Sequence, residues 1–171
     1  MDEQNPGFIN ETLMLKLYKL TSSQYFGFWW IGLLIFLIQE LPYIIMPFLS
    51  LPSNPIMNME ESSLLLDVFE KIIGSLCVAT MILVNHQDAK LFSVVTKKEK
   101  LFFGLTIFVL VLNFFGWFLY DTGLQPIWVM MVFLVTMPPL YYIFVGLWRR
   151  NYILVMFGVP FFIDSFHTCH G

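Results

Sequence analysis

The chain has 171 residues, of which 58% are hydrophobic and only 12% are charged, with a formal net charge of −3 at pH 7. Soluble globular domains carry about 25% charged residues, so a soluble fold of this length could not bury so much apolar surface. The mean hydropathy of +0.74 indicates a membrane protein. No basic run is longer than two residues, which together with the acidic net charge argues against nucleic acid as a partner.

Residues 1–24 are predicted to form a cytoplasmic N-terminal segment. Between Glu11 and Leu20 the apolar residues recur at helical spacing, while Lys16 and Lys19 fall on another face. This pattern predicts a short interfacial helix whose lysines reach toward the lipid head groups. An N-terminal extension of the first membrane helix would give the same pattern.

The transmembrane domain is predicted to comprise residues 25–171, and its first helix is the apolar run from Phe26 to Pro47. Aromatic residues typical of a membrane interface stand at its start. Gln39 and Glu40 interrupt the run two-thirds of the way along. A carboxyl group in hydrocarbon costs about 2.5–3.5 kcal/mol on insertion scales, so it usually faces the interior of a bundle. We therefore expect the rest of the chain to supply such an interior.

Further apolar segments predict an all-α bundle of five transmembrane helices. Pro138 and Pro139 stand near the centre of the fourth segment, where they predict a kink or local unwinding. The last segment is too short to span the membrane unless its helix continues to about residue 170, so four helices with a re-entrant last segment are the alternative. The four further segments are Leu64–Val84, Leu101–Tyr120, Ile127–Trp148 and Tyr152–Ile163.

Basic residues collect on one side of this predicted bundle if five segments cross. The positive-inside rule then predicts a cytoplasmic N-terminus and an outer or lumenal C-terminus. His86 falls in a cytoplasmic loop and is expected to be solvated. The sequence thus predicts a multi-pass membrane protein. It does not distinguish the plasma membrane from the endoplasmic reticulum. The basic residues are Lys16, Lys19, Lys90, Lys97, Lys98, Lys100, Arg149 and Arg150.

Counting about 1.5 Å of helical rise per residue brings polar residues from different segments to one depth, between the midplane and the outer surface. One shared polar cavity would explain this convergence, because each residue would otherwise face lipid. Buried ion pairs that only fix helix register, such as Lys71 with Glu40 or Asp67, would explain it as well. The predicted ligand-binding residues are Gln39, Glu40, Asp67, Glu70, Lys71, Asn113, Trp117, Tyr120, Asp164 and His167.

The C-terminal residues Asp164, His167 and His170 follow each other at intervals of three. This spacing keeps side chains on adjoining sectors of one helical face, where Asp and His can bind zinc. The motif is short and chain ends fray, so these residues are only weak metal candidates. No cofactor is predicted.

The acidic layer favours a protein that binds or transports a small lipophilic or cationic ligand from the outer side. One alternative is a membrane-embedded enzyme that acts on a lipid or sterol-like substrate, with carboxyl groups or His167 as acid and base. A second is a non-catalytic subunit whose polar layer pairs with another chain. The lipid bilayer is the expected partner, and self-association is left open.

Overall fold

The computed structural model describes residues 14–49, 64–88, 90 and 92–168. In these residues the chain is mostly helical, with five helices and three short strands. The helix at Trp30–Ile45 continues into a 3₁₀ turn at Met46–Phe48. The elements in chain order are β1 (Met14–Lys19), β2 (Gln24–Trp29), α1 (Trp30–Ile45), α2 (Leu64–Leu83), β3 (Val84–His86), α3 (Lys97–Asp121), α4 (Ile127–Arg149) and α5 (Tyr152–Thr168).

Three helices of the described part are long and apolar enough to cross a membrane. They are Trp30–Phe48, Lys97–Asp121 and Ile127–Arg149, and α5 contains a shorter apolar stretch at Tyr152–Ser165. The prediction of a helical protein suited to a membrane is thereby confirmed. Five spans and a cytoplasmic N-terminus remain predictions.

The predicted interfacial helix before residue 24 is wrong, and so is a purely α-helical fold. Met14–Lys19 is strand β1, which pairs antiparallel with β2, and β2 pairs in turn with β3. The apolar Leu15 and Leu17 also fit a spacing of two, and the aromatic residues of β2 favour a strand. A strand partner for these backbone groups therefore outweighs the helical pattern of the side chains.

Strand β3 lies inside the predicted polar loop, and this changes the surroundings of His86. Its side chain is not solvated, because pairing with β2 brings β3 against the bundle, and His86 is only 8% exposed. Its Nδ1 accepts a hydrogen bond from the backbone N–H of Asp88 at 3.2 Å. A three-residue strand gives too little periodicity to be recognised in a sequence.

Buried side chains tie the helix ends together beside the sheet, at what we call the sheet end. The amide nitrogen of Asn151 donates to the carbonyl oxygens of Thr80 and Val84 at 2.9 and 2.8 Å. Gln24 Nε2 donates to the carbonyl oxygen of Arg150 at 2.9 Å. These bonds join α2, the sheet and the junction between α4 and α5.

Helix α3 begins four residues before the predicted start because Thr96 and Glu99 form a capping box. Glu99 N donates to Thr96 Oγ1 at 3.1 Å, while Thr96 N donates to Glu99 Oε2 at 3.2 Å. Such reciprocal bonds satisfy backbone donors that a helix start leaves free. After a turn at 122–126, α4 packs antiparallel along α3.

Candidate ligand-binding cavity

A cavity of about 760 Å³ lies between α1, α2, α4 and α5, in the half of the bundle remote from the sheet end. Small-molecule sites typically measure about 300–1,000 Å³. Most of its wall is apolar or aromatic, and Phe36, Val78 and Phe161 contribute to it. The size and lining are therefore those of a site for a small, largely apolar molecule.

Four of the predicted ligand-binding residues line this cavity together. Gln39 and Glu40 come from α1, and Glu70 and Lys71 come from α2. The polar lining thus includes two carboxyl groups, one ammonium group and one amide. Ser165 of α5 lies behind Glu70, with its Oγ 3.5 Å from Glu70 Oε1.

The inward face of α2 follows the spacing of three and four residues that the sequence shows. Glu70, Lys71, Gly74 and Val78 all line the cavity. A β-carbon at Gly74 would stand 3.5 Å from the ring of Phe161, which is ordinary contact distance, so α5 closes this side of the wall.

Four of the other predicted residues, all with described side chains, do not line the cavity. Asn113, Trp117 and Tyr120 are all buried in α3, and the Trp117 ring packs edge-on against Tyr43 with centroids 4.7 Å apart. Asp164 is buried in α5, next to Ser165. The side chains of Asp67 and His167 lie outside the described part of the structure.

Three tyrosine hydroxyl groups join α1 to α4 around the cavity, and the sequence did not single them out. Among 31 aromatic residues (19 Phe, 7 Tyr and 5 Trp), nothing but the need of a buried phenol for a partner would have indicated them. The bonds run from Tyr43 Oη to Leu134 O at 2.8 Å, from Tyr141 Oη to Ile35 O at 3.1 Å, and from Tyr142 Oη to Gln39 Oε1 at 3.2 Å.

The proline pair in α4 accounts for the partner of Tyr43. Met130–Val135 forms a π-helical segment just before the prolines, as the predicted local unwinding requires. The backbone donors for Leu134 O would be residue 138 in an α-helix or residue 139 in a π-helix, and both are proline. The phenol of Tyr43 replaces the missing N–H.

The carbonyl oxygen of Phe133 also lacks a backbone donor in the π-helical hydrogen-bond pattern, because the donor would be Pro138. Here Asn113 Nδ2 of α3 donates to Phe133 O at 2.9 Å. Asn113, predicted to contact a ligand, thus bonds to the irregular part of α4. The segment can remain π-helical because side chains of neighbouring helices donate hydrogen bonds to its carbonyl groups.

Gln39 has a buried amide nitrogen that makes no hydrogen bond to the described residues. Its side chain is 1% exposed, and Tyr142 Oη is bonded to Oε1 while Nε2 has no partner. Buried polar groups in proteins are nearly always satisfied. Gln39 Nε2 is therefore an exception among the polar groups of the cavity wall.

The described residues contain no group of three His, Cys, Asp or Glu side chains close enough to hold a metal ion. The predicted candidates are not tested by this result, because His167's side chain and the whole of His170 lie beyond the described part.

No protein-family model, curated protein sequence or solved structure matches this chain.

Proposed function

We propose that this chain is a multi-pass membrane protein whose acidic intramembrane cavity binds and carries a small lipophilic cation, such as a protonated amine, entering from the outer side. The observation that carries the proposal is the meeting of Glu40, Glu70, Lys71 and Gln39 in one cavity of about 760 Å³.

The excess of acid favours a cation over an anion. Glu40 and Glu70 outnumber Lys71 in the lining. Charges interact strongly where water is scarce, so a cationic ligand offsets the cost of holding a second carboxylate inside the bundle. Aromatic rings of Tyr43 and Tyr142 also line the wall, and ring faces attract cations.

The irregular winding of α4 supports transport of the ligand rather than binding alone. Leu134, Val135 and Pro138 line the cavity at the point where α4 changes from π-helical to α-helical winding. Interrupted helices beside a midplane site are common in transporters, where one part of the bundle moves against another. Entry from the outer side follows from the basic residues at the sheet end, which the positive-inside rule assigns to the cytoplasm.

The test compares two probes of nearly the same shape and opposite charge, tetraphenylphosphonium and tetraphenylborate. Calorimetric titration of the purified protein in detergent should show tighter binding of the cation. Glu40→Gln should weaken phosphonium binding about tenfold or more, equivalent to about 1.4 kcal/mol. Unfolding measured in parallel shows whether the variant remains folded.

Asp121→Asn is the matched control, since Asp121 is an exposed carboxylate at the same end of the bundle outside the cavity lining. It should bind the phosphonium ion as the wild type does. Preference for the borate anion, or equal phosphonium affinity in wild type and Glu40→Gln, would contradict the proposal.

A further inference from the structure

A second cavity, of about 210 Å³, lies at the sheet end, between the described residues of the stretch 86–99 and the end of α4. We propose that it binds the phosphate of an anionic lipid head group. Arg149, Arg150 and Lys90 line it with His86. The site is independent of the acidic cavity and lies at the opposite end of the helices.

Arg149 supplies a fixed guanidinium group. It is 8% exposed, and its Cζ lies 4.3 Å from the ring centroid of Trp29 and 5.8 Å from that of Trp148. Its Nη1 donates to the carbonyl oxygen of Lys90 at 2.7 Å. Stacking of this kind restricts the side chain before any ligand arrives, and the planar fork of arginine suits a phosphate better than lysine does.

Arg150 supplies a second guanidinium group from an unusual backbone position. Its φ of 54° lies in the left-handed region directly after α4, where glycine is the usual residue. The side chain lines the same cavity, is 48% exposed, and has its Nη2 3.5 Å from Glu99 Oε1. Glycine adopts this backbone conformation at lower cost, so Arg150→Gly removes the side chain without straining the backbone.

The cationic side chains of this cavity outnumber its carboxylates. Three cationic side chains line it against Asp88 and Glu99. Glu99 Oε2 already accepts hydrogen bonds from Ser93 Oγ and Val95 N, at 3.0 and 2.9 Å. The side chain of Asp88 is 69% exposed and therefore screened by water. An anion entering the cavity meets the guanidinium group of Arg150, which has five N–H groups and bonds to Glu99 Oε1 through Nη2 at 3.5 Å.

The surroundings favour a lipid over free phosphate. Val95 lines the cavity and is 74% exposed. Phe92 is 51% exposed, and its ring centroid lies 5.5 Å from that of Trp148. Exposed apolar groups beside a basic cavity at the end of apolar helices offer acyl chains a surface. Anionic lipids are also enriched in the leaflet that faces basic residues.

The experiment titrates the full chain in detergent with dioleoylphosphatidylglycerol, dioleoylphosphatidylcholine and inorganic phosphate, and follows binding by native mass spectrometry. Wild type should bind phosphatidylglycerol about tenfold more tightly than phosphatidylcholine. Arg150→Gly should lose this preference, while its unfolding temperature without lipid stays the same or rises because glycine suits the left-handed conformation.

Lys98→Gln is the control, since Lys98 is exposed near the same end but does not line the cavity. It should keep the preference. The proposal is overturned if Arg150→Gly keeps the preference for phosphatidylglycerol. It is also overturned if Lys98→Gln reduces this preference as much as Arg150→Gly does, which would indicate general surface attraction. Phosphate binding that depends on Arg150, with no preference between the two lipids, would assign the site to free phosphate and overturn the lipid source.

Discussion

At the scale of single residues, the irregular part of α4 depends on which carbonyl groups keep a backbone donor. Leu134 O has proline at both positions that could donate to it within a helix, so Tyr43 is its substitute donor. Ile35 O, which accepts from Tyr141, lies in regular helix with Gln39 N–H four residues on. The two tyrosine hydroxyl groups therefore make similar hydrogen bonds, but the bond from Tyr43 contributes more to the free energy of unfolding.

Tyr43→Phe should consequently destabilise the protein more than Tyr141→Phe. Removing the Tyr43 hydroxyl leaves a buried carbonyl without a donor, which costs about 1–3 kcal/mol, whereas Ile35 O keeps its helical partner. Reversible unfolding in mixed detergent and denaturant measures both free energies of unfolding. Equal losses, or a larger loss for Tyr141→Phe, would show that Leu134 O has another donor.

Asn113→Leu should have a similar effect through Phe133 O, again by about 1–3 kcal/mol. Asn113 is 1% exposed. Leucine keeps the branching of the asparagine side chain but is larger and lacks the amide donor, so the loss includes a packing contribution. The same unfolding measurement applies, with Thr122→Ala as the control because its hydroxyl bond to Leu119 O is exposed. An Asn113→Leu variant as stable as wild type would remove Asn113 from the support of α4.

At the scale of elements, the proline pair was visible in the sequence but its effect on the cavity was not. The prolines remove donors whatever surrounds them, so local unwinding was predictable. Only the packed bundle decides that the unwound residues form a cavity wall and which helices supply the replacement donors. The same holds for strand β1. Its sequence pattern fits either a helix or a strand, and pairing with β2 determines that it is a strand.

Replacing both prolines, as Pro138→Ala with Pro139→Ala, should let α4 wind regularly and alter the cavity wall. We expect tetraphenylphosphonium affinity to fall about tenfold, while the folded protein persists because alanine is a strong helix former. Pro160→Ala is the control, since this proline lies inside α5 but outside the cavity lining. Unchanged affinity in the double variant would mean that the break in α4 does not shape the site.

At the scale of the whole molecule, one end of the bundle is tied by hydrogen bonds and the other contains the large cavity. Asn151 is central to the tied end, because its Nδ2 bonds to α2 and β3 while its Oδ1 accepts from Leu154 N of α5. In the remote half of the bundle, the hydroxyl groups of Tyr43 and Tyr142 join α1 to α4.

Asn151→Ala should therefore be among the most destabilising substitutions at this end. It removes a helix cap, worth about 1 kcal/mol, and leaves two carbonyl groups at Thr80 and Val84 short of a donor, so a total of about 2–4 kcal/mol is expected. Unfolding free energies compared with Gln87→Ala, an exposed neighbour of the sheet, measure the effect. A loss below that of the control would contradict the role assigned to Asn151.

The sequence by itself determined that the protein is mostly helical, that several helices are apolar enough to cross a membrane, and roughly where those helices begin and end, because apolar length is a property of single segments. Tertiary structure alone decided that Glu40, Glu70 and Lys71 share one cavity, that Asn113 and Tyr43 support a broken helix, and that His86 is buried in a strand. Those outcomes depend on which distant backbone groups lack partners and which side chains reach them, and no local pattern encodes that pairing.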